Sequence, residues 1–183
     1  MCAQEAYWQV GLDRVWLMPA NVAPHKEMEG DPGADERLAL CAAAAEEVEW
    51  LEASRVEVDR PGPSYTVDTL RGLAAERPDD EFVLLLGADR AATLPQWREP
   101  EEILRLASVA VTKRSGVEDG AVRKALSGLD GGDRVRAFGM PAIDVSSTLV
   151  RERVASGRPY RFLVPEAVAE RIEQRGLYRG ESA

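Results

Sequence analysis

The chain has 183 residues, of which 45% are hydrophobic and 30% charged, a size and balance that suit one α/β domain over residues 1–183. The net charge of −9 argues against a nucleic-acid-binding surface, because a phosphate backbone requires clustered Lys and Arg. The chain has one histidine, two cysteines without metal-ligand spacing, no apolar run near the roughly 20 residues of a membrane span and no signal-peptide pattern at its start. We therefore expect a cytoplasmic protein without a histidine- or cysteine-built metal site.

Short apolar runs alternate with helical patterns, which is typical of a mostly parallel sheet covered by helices. In chain order, the pattern predicts a helix over the first ten residues that ends at Gly11, a strand over 14–18, a loop over 21–33, a helix over about 35–49 and a strand over 55–58. A further helix follows the turn at 61–63. Ser64 or Thr66 can cap that helix, and Val67, Leu70 and Leu73 form its core stripe.

The second half of the chain continues this alternation. We predict strands over 81–86, 108–112 and 134–138, and helices over 147–155 and 165–175, the last of which ends at Gly176. The fold class is therefore α/β, a Rossmann-like doubly wound sheet with helices on both faces. Such a fold begins with a strand, whereas this chain begins with a helix, so we expect its first strand to be missing.

Hydroxyl residues open the predicted helix at 147–155. Ser146, Ser147 and Thr148 come first, and Arg151 follows at helical spacing on the same face. Free backbone N–H groups, hydroxyls and a guanidinium at one helix start form a site for phosphate. The alternative is an ordinary Ser/Thr cap with a solvated arginine.

Gly87 and Asp89 directly follow the most apolar predicted strand. Ligands of open α/β sheets bind beyond the carboxyl ends of the strands, where a glycine allows close approach and a carboxylate can accept ribose hydroxyls. The alternative is a tight turn in which Asp89 caps the next helix.

Single aromatic and basic residues add weaker signals. Trp97 can stack on a planar heterocycle, or it can be a packing plug. His25 and Lys26 can reach phosphates, or they can be an exposed basic pair. Arg114 follows a strand end on the ligand side of the sheet but is equally typical of a surface, and we interpret Arg98 as solvated.

Read together, these motifs resemble the bacterial nicotinate-nucleotide adenylyltransferases, members of the nucleotidyl transferase superfamily. The resemblance runs from about Ala3 to Tyr178. It rests on the order of several segments, at residues 11–15, 19–20, 24–26, 59–70, 87–89, 94–97, 144–148 with Arg151, and 160–165.

The resemblance implies that the 5′-phosphate of nicotinate mononucleotide attacks the α-phosphorus of ATP, with Mg²⁺ as cofactor, in NAD biosynthesis. The implied partners are these two small molecules, with neither nucleic acid nor membrane, and a homo-oligomer is compatible with the prediction. Carried over, ATP contacts fall on Gly87, Asp89, Ser146, Ser147, Thr148 and Arg151. Contacts to the mononucleotide fall on His25, Lys26, Tyr65, Thr66, Trp97 and Arg114.

The chain departs from the family pattern at its start. Family members open with a strand and a Gly-Gly-Thr-Phe-x-Pro-x-His-x-Gly-His type segment whose histidines contact ATP phosphates, and this segment is absent here. We expect an N-terminally truncated nucleotidyl transferase domain in which Met1 is a misplaced start, and no catalytic residue is assigned. The alternatives are a sister adenylyltransferase that acts on nicotinamide mononucleotide or phosphopantetheine, and a non-catalytic nucleotide-binding remnant.

Overall fold

The computed structural model describes residues 1–24, 30–113, 119–132 and 134–179. The chain divides into two compact units, the first formed by Met1–Asp13 with Tyr65–Ala142 and the second by Arg14–Ser64 with Ile143–Ala183. Each unit has its own parallel sheet. The single domain over residues 1–183 stays a prediction.

The first unit contains a three-stranded sheet and the helices around it. Its first helix, α1 (Cys2–Ala6), continues as a π-helical turn (Tyr7–Gly11). The other elements are α3 (Thr66–Glu76), β3 (Phe82–Gly87), α4 (Ala88–Ala91), a 3₁₀ turn (Leu94–Gln96), α5 (Pro100–Leu106), β4 (Ala107–Lys113), α6 (Asp119–Leu126) and β5 (Val135–Gly139).

The strands of this unit are parallel in the order β3–β4–β5. Side chains of β4 alternate between two faces, as a strand period of two requires. Val109 and Val111 lie in one buried cluster with residues of α3 and α5, whereas Ala110 lies in another with Ala6 and Phe138. Helices therefore cover both faces of a parallel sheet, and the predicted α/β fold class is confirmed.

A glutamine side chain holds the N-terminal helical segment against the end of β5. The Gln9 amide donates to the Gly139 carbonyl (Nε2 to O, 2.8 Å) and accepts from the Gly139 N–H (N to Oε1, 3.0 Å). This pair satisfies both main-chain groups of Gly139, which ends an edge strand of this sheet.

The second unit contains β1 (Val15–Leu17), α2 (Ala34–Ala45), β2 (Leu51–Ala53), α7 (Ser147–Ala155), a 3₁₀ turn (Arg161–Leu163) and α8 (Glu166–Arg175). The strands β1 and β2 pair in parallel. The helix α2 is bound to α8 by an ion pair from Arg171 to the largely buried Glu36 (2.7 Å). The last helix ends at Gly176, whose φ of 61° is the left-handed conformation typical of a helix end, as predicted.

The predicted strand over 55–58 is wrong. The strand of this region is β2, which ends at Ala53, and the residues after it turn back on themselves: the Asp59 N–H donates to the Arg55 carbonyl (2.9 Å), and the Arg55 guanidinium pairs with Asp59. The alternation of Arg55 to Val58 imitates a strand, but Arg55 forms ion pairs with Asp59 in the turn and with Asp35 at the start of α2. The helix α2 also ends four residues before the predicted residue 49.

The predicted cap of α3 is also wrong. The N-cap residue is Tyr65, and no side chain caps this helix. Ser64 is buried and its hydroxyl accepts instead from the Asn21 N–H (2.9 Å). The predicted core stripe of Val67, Leu70 and Leu73 is confirmed, since all three are buried.

The helices of the described residues are short, and none combines the length and the apolar character that a membrane-spanning helix requires.

Candidate functional site

The carboxyl end of β3 lies beside the end of β4 in the first unit. Gly87 ends β3 and is paired in register with Thr112. Asp89 lies exposed in the first turn of α4, and it does not cap that helix, because Gly87 is the N-cap residue. A Cβ on Gly87 would come within 2.7 Å of the Asp89 Oδ1. The glycine therefore allows the Asp89 carboxylate to fold back over the strand end.

Thr112 has an unusual hydroxyl. Its side chain is only 5% exposed, and among the described residues its Oγ1 has no hydrogen-bond partner. Leaving a hydroxyl buried and unpaired costs about 1–3 kcal/mol. The cost falls at the carboxyl edge of the sheet, where ligands of this fold class bind.

Trp97 belongs to a short segment, residues 90–97, which we name the ring segment. Its indole is half-buried and packs against the main core cluster of the first unit. The indole N–H donates to the Thr93 hydroxyl (3.1 Å), which donates to the Arg90 carbonyl (2.8 Å). The Arg90 guanidinium lies 5.3 Å from the ring centroid. Trp97 therefore packs on the core, the alternative that the sequence left open, while remaining only half-buried.

Tyr65 and Thr66 lie at the start of α3 in the same unit. The Tyr65 carbonyl accepts from the N–H groups of Asp68 and Thr69, and the amides of Thr66 and Val67 precede these first helical hydrogen bonds. The Arg98 guanidinium lies 4.8 Å from the Tyr65 ring centroid and 3.4 Å from Asp68. Arg98 is exposed, which agrees with its interpretation as solvated, and it also contacts this ring and this carboxylate.

The helix start at residues 146–151 lies in the second unit. The helix α7 begins at Ser147 as predicted, and the Ser146 hydroxyl accepts from the Leu149 N–H (3.1 Å). The Arg151 guanidinium donates to the Thr148 hydroxyl (3.3 Å). The three hydroxyl residues are exposed. This arrangement contains the predicted cap, and it also places a guanidinium and a hydroxyl together on the first turns of the helix.

Charged residues of the second unit surround Tyr178. Burial raises the pKa of the Tyr178 hydroxyl, and the positive charge of Arg151 lowers it in part. Arg37 is nearby in the same unit and donates to Asp31 and to the carbonyls of Ala20 and Asn21. These contacts hold the residues that follow the carboxyl end of β1.

Three predicted site residues, His25, Lys26 and Arg114, lie outside the described residues. Over residues 1–24, 30–113, 119–132 and 134–179, no group of three or more His, Cys, Asp or Glu side chains is placed to hold a metal ion.

The comparisons with known proteins identify the family. Residues 2–153 match the cytidylyltransferase-like family model. A protein of Synechococcus sp. (strain JA-3-3Ab) named "Probable nicotinate-nucleotide adenylyltransferase" is 38% identical over 96% of this chain and 85% of its own length. One of the same name from Roseiflexus sp. (strain RS-1) is 40% identical over 97% of this chain and 88% of its own length. The chain belongs to the nicotinate-nucleotide adenylyltransferase family.

Solved structures share the fold of this adenylyltransferase. A Plasmodium falciparum nicotinic acid mononucleotide adenylyltransferase complexed with APC superimposes with a TM-score of 0.74, over 97% of this chain and 88% of its own. The same enzyme complexed with NaAD gives a TM-score of 0.75. At 13% identity these likenesses establish the fold alone.

Sequence reasoning missed several residues of this adenylyltransferase. Thr93 stands four residues before Trp97 and Arg90 three before Thr93, a helical spacing that could have indicated their contacts. The buried hydroxyl of Thr112, which has no partner among the described residues, had no signal in the sequence, because burial depends on packing between distant segments.

Proposed function

We propose that this protein transfers AMP from ATP to nicotinate mononucleotide, giving nicotinic acid adenine dinucleotide and pyrophosphate. The observation that carries the proposal is the likeness to nicotinate-nucleotide adenylyltransferases over 96% of the chain. In the reaction, a 5′-phosphate oxygen of the mononucleotide forms a bond to the α-phosphorus of ATP. The bond from that phosphorus to the oxygen bridging to the β-phosphate breaks, and pyrophosphate leaves with both electrons of that bond.

The reaction needs no covalent enzyme intermediate. The contribution of the protein is to align the attacking oxygen with the leaving group and to stabilise the charge on the phosphates. Magnesium enters as part of the Mg–ATP substrate, since Mg²⁺ is commonly held by substrate phosphates and water rather than by a protein cage.

The nicotinate end of the mononucleotide is assigned to the first unit. Trp97 would stack on the pyridine ring, and its hydrogen bond to Thr93 supports a fixed ring orientation. The backbone amides near Thr66 would meet the carboxylate or the phosphate, because the first N–H groups of a helix have no helical partner. Arg114 completes this set by resemblance.

The nucleotide contacts of Gly87 and Asp89 are also assigned to the first unit. The close approach of the Asp89 carboxylate to Gly87 supports a role in accepting ribose hydroxyls beyond the strand end. The exposure of Asp89 leaves its carboxylate accessible to a ligand.

The ATP phosphates are assigned to Ser146, Ser147, Thr148 and Arg151 in the second unit. The exposed hydroxyls, the helix start and the contact of Arg151 with Thr148 support this assignment, because all three features favour an anion.

The resemblance also assigns His25 and Lys26 to the mononucleotide, where they would add positive charge.

A direct assay tests the proposed reaction. The protein is incubated with Mg–ATP and either nicotinate mononucleotide or nicotinamide mononucleotide, and the dinucleotide and pyrophosphate are quantified by chromatography and a coupled pyrophosphatase assay. We expect equal amounts of both products, with kcat/KM higher for the acid form. A preference for the nicotinamide form, or ATP binding without either product, would contradict the proposal.

A further inference from the structure

The residue before α5 has a strained backbone. Glu99 has a φ of 52° and a ψ of 60°, a left-handed conformation that a residue with a long side chain seldom adopts. Pro100 follows it, and a proline favours an extended conformation in the residue before it. A residue remains in such a conformation only where the contacts around it compensate the cost.

Two arginines surround the carboxylate of Glu99. Arg71 of α3 binds it with both terminal nitrogens, at 3.2 and 2.5 Å, and the Arg98 Nε lies 3.7 Å from its Oε1. The hydrogen bond from Arg71 lowers the pKa of the Glu99 carboxyl, which keeps this group ionised near neutral pH. A forked pair of this kind fixes direction as well as distance, so it holds the strained residue in one orientation.

Arg98 connects the end of the ring segment with the start of α3. It directly follows Trp97 in the chain, and its guanidinium lies 4.8 Å from the centroid of the Tyr65 ring and 3.4 Å from the Asp68 Oδ2. Tyr65 and Asp68 belong to the first turn of α3 and the residue before it. The two segments that are assigned to the mononucleotide are therefore joined to each other by side chains of the first unit.

Four charged side chains make these connections, and we name them the charge clip: Asp68, Arg71, Arg98 and Glu99. Within the clip, Arg71 also lies 3.8 Å from Asp68, which links the two ion pairs. Arg71, Arg98 and Glu99 are exposed, and ion pairs at exposed positions contribute little to the stability of a fold. A strained residue held by such weak pairs indicates a role in function.

We propose that the charge clip sets the position of the start of α3 relative to the ring segment, and that Arg71 and Glu99 are positioning residues for the mononucleotide. The inference rests on the proposed function, because both segments are assigned to that substrate there. Neither residue has to touch the substrate, since each acts through the segment that carries it. Loss of the clip should therefore weaken the mononucleotide and leave ATP, whose phosphates are assigned to the second unit, unaffected.

The test compares Glu99→Asn with Glu99→Asp. Both new residues tolerate the left-handed conformation and they are nearly equal in size, so the two variants differ mainly in charge. We expect KM and calorimetric Kd for nicotinate mononucleotide to be about two- to fivefold higher in Glu99→Asn, the scale of exposed ion pairs. The KM for ATP and kcat should be equal in the two variants. In 1 M NaCl the difference should disappear, because salt screens exposed charges.

Arg71→Gln removes the other partner of the same contact. It should raise KM and Kd for the mononucleotide by a similar factor, and Arg71→Gln combined with Glu99→Asn should be no worse than either change alone. Arg77→Gln is the matched control. This exposed arginine at the end of α3 pairs with Asp80 (3.4 Å), and its replacement should change neither constant.

Equal Kd values of Glu99→Asn and Glu99→Asp for the mononucleotide would overturn the role of the clip. An equal rise in the KM for ATP and for the mononucleotide would also overturn it, because a general loss of structure has that effect. If the unmodified protein binds the mononucleotide but forms no dinucleotide, the proposed function fails, while the comparison of Kd values still decides the role of the clip. If the unmodified protein does not bind the mononucleotide, both fail.

Discussion

The ring segment and the helix start at residues 146–151 carry two different kinds of candidate site. In the ring segment, Trp97 is half-buried and its polar atom is already used by Thr93. At the helix start, the hydroxyl side chains are exposed, and their hydrogen bonds remain within one or two turns of the helix. The first region offers a rigid surface for a ring, and the second offers polar groups that can exchange water for phosphate.

This contrast predicts different responses to substitution. Changes in the ring segment should affect stability and binding of the mononucleotide together, because the side chain that is proposed to contact the ligand also packs on the core. Changes at the helix start should separate the two effects, because the cap is made by Ser146 and the charge is provided by Arg151.

The largest effect is expected for Trp97→Ala. Loss of a stacked ring costs about 1–3 kcal/mol per base in nucleic-acid complexes, so kcat/KM for nicotinate mononucleotide should fall about 10- to 100-fold, mainly through KM. The thermal midpoint should fall as well, because the indole packs on the core. Trp8→Ala is the control, since this tryptophan is 81% exposed and its removal should change neither value. An unchanged KM in Trp97→Ala would remove the ring segment from the site.

A smaller and more selective effect is expected for Arg151→Gln. Its guanidinium is half-buried near the helix start, and its loss should raise the KM for ATP about tenfold through one lost charge-assisted contact, while the KM for the mononucleotide stays the same. Arg158→Gln removes the same charge from an exposed position and should change neither KM. If both variants raise the KM for ATP equally, the effect comes from overall charge and not from the helix start.

Removal of the cap at the helix start should lower the stability of the protein. Ser146→Ala is expected to lower the free energy of unfolding by about 1 kcal/mol, because the Leu149 N–H loses its acceptor. Ser147→Ala serves as the comparison, since Ser147 is the first helical residue and not the cap. Urea unfolding followed by circular dichroism measures both variants. Equal stability of the two would mean that the cap is not stabilising.

The sequence predicts the structure of the helix start at residues 146–151 better than that of the ring segment. The bounds of α7 are predicted at both ends, because hydroxyl residues and a cap are signals that lie within one short segment. Trp97 and its neighbours are less predictable, since a sequence does not tell whether an indole packs or binds, and here it packs while part of it stays exposed. The parallel strands β3 to β5 follow from their apolar runs.

The failed predictions have a common cause. Residues 55–58 alternate like a strand, yet Arg55 forms ion pairs with Asp59 and with Asp35 on another element. Ser64 precedes a helix like a cap, yet Asn21, distant in sequence, uses its hydroxyl. Local patterns compete with long-range partners in both cases, and the partners can be identified only once the fold is known.

The smallest effect concerns the charged residues of α5. The hydrogen bond from Arg105, opposed in part by desolvation, lowers the pKa of Glu102 from 4.5 to about 2. The depressed pKa means that the stabilisation by this carboxylate is present above pH 4.5 and is lost as the pH falls through about 2. The stability difference between the unmodified protein and Glu102→Gln should therefore shrink over that interval, with Glu101→Gln as the control. A difference that grows toward low pH would contradict this account.

Adenylyl transfer is tested most directly by which phosphorus of ATP reaches the mononucleotide. ATP labelled at the α-phosphate and ATP labelled at the γ-phosphate can be compared in separate reactions with nicotinate mononucleotide, with products separated by chromatography. We predict that the α-label appears in the dinucleotide and the γ-label in pyrophosphate. Appearance of the γ-label on the mononucleotide, or release of labelled AMP without a dinucleotide, would contradict adenylyl transfer by this protein.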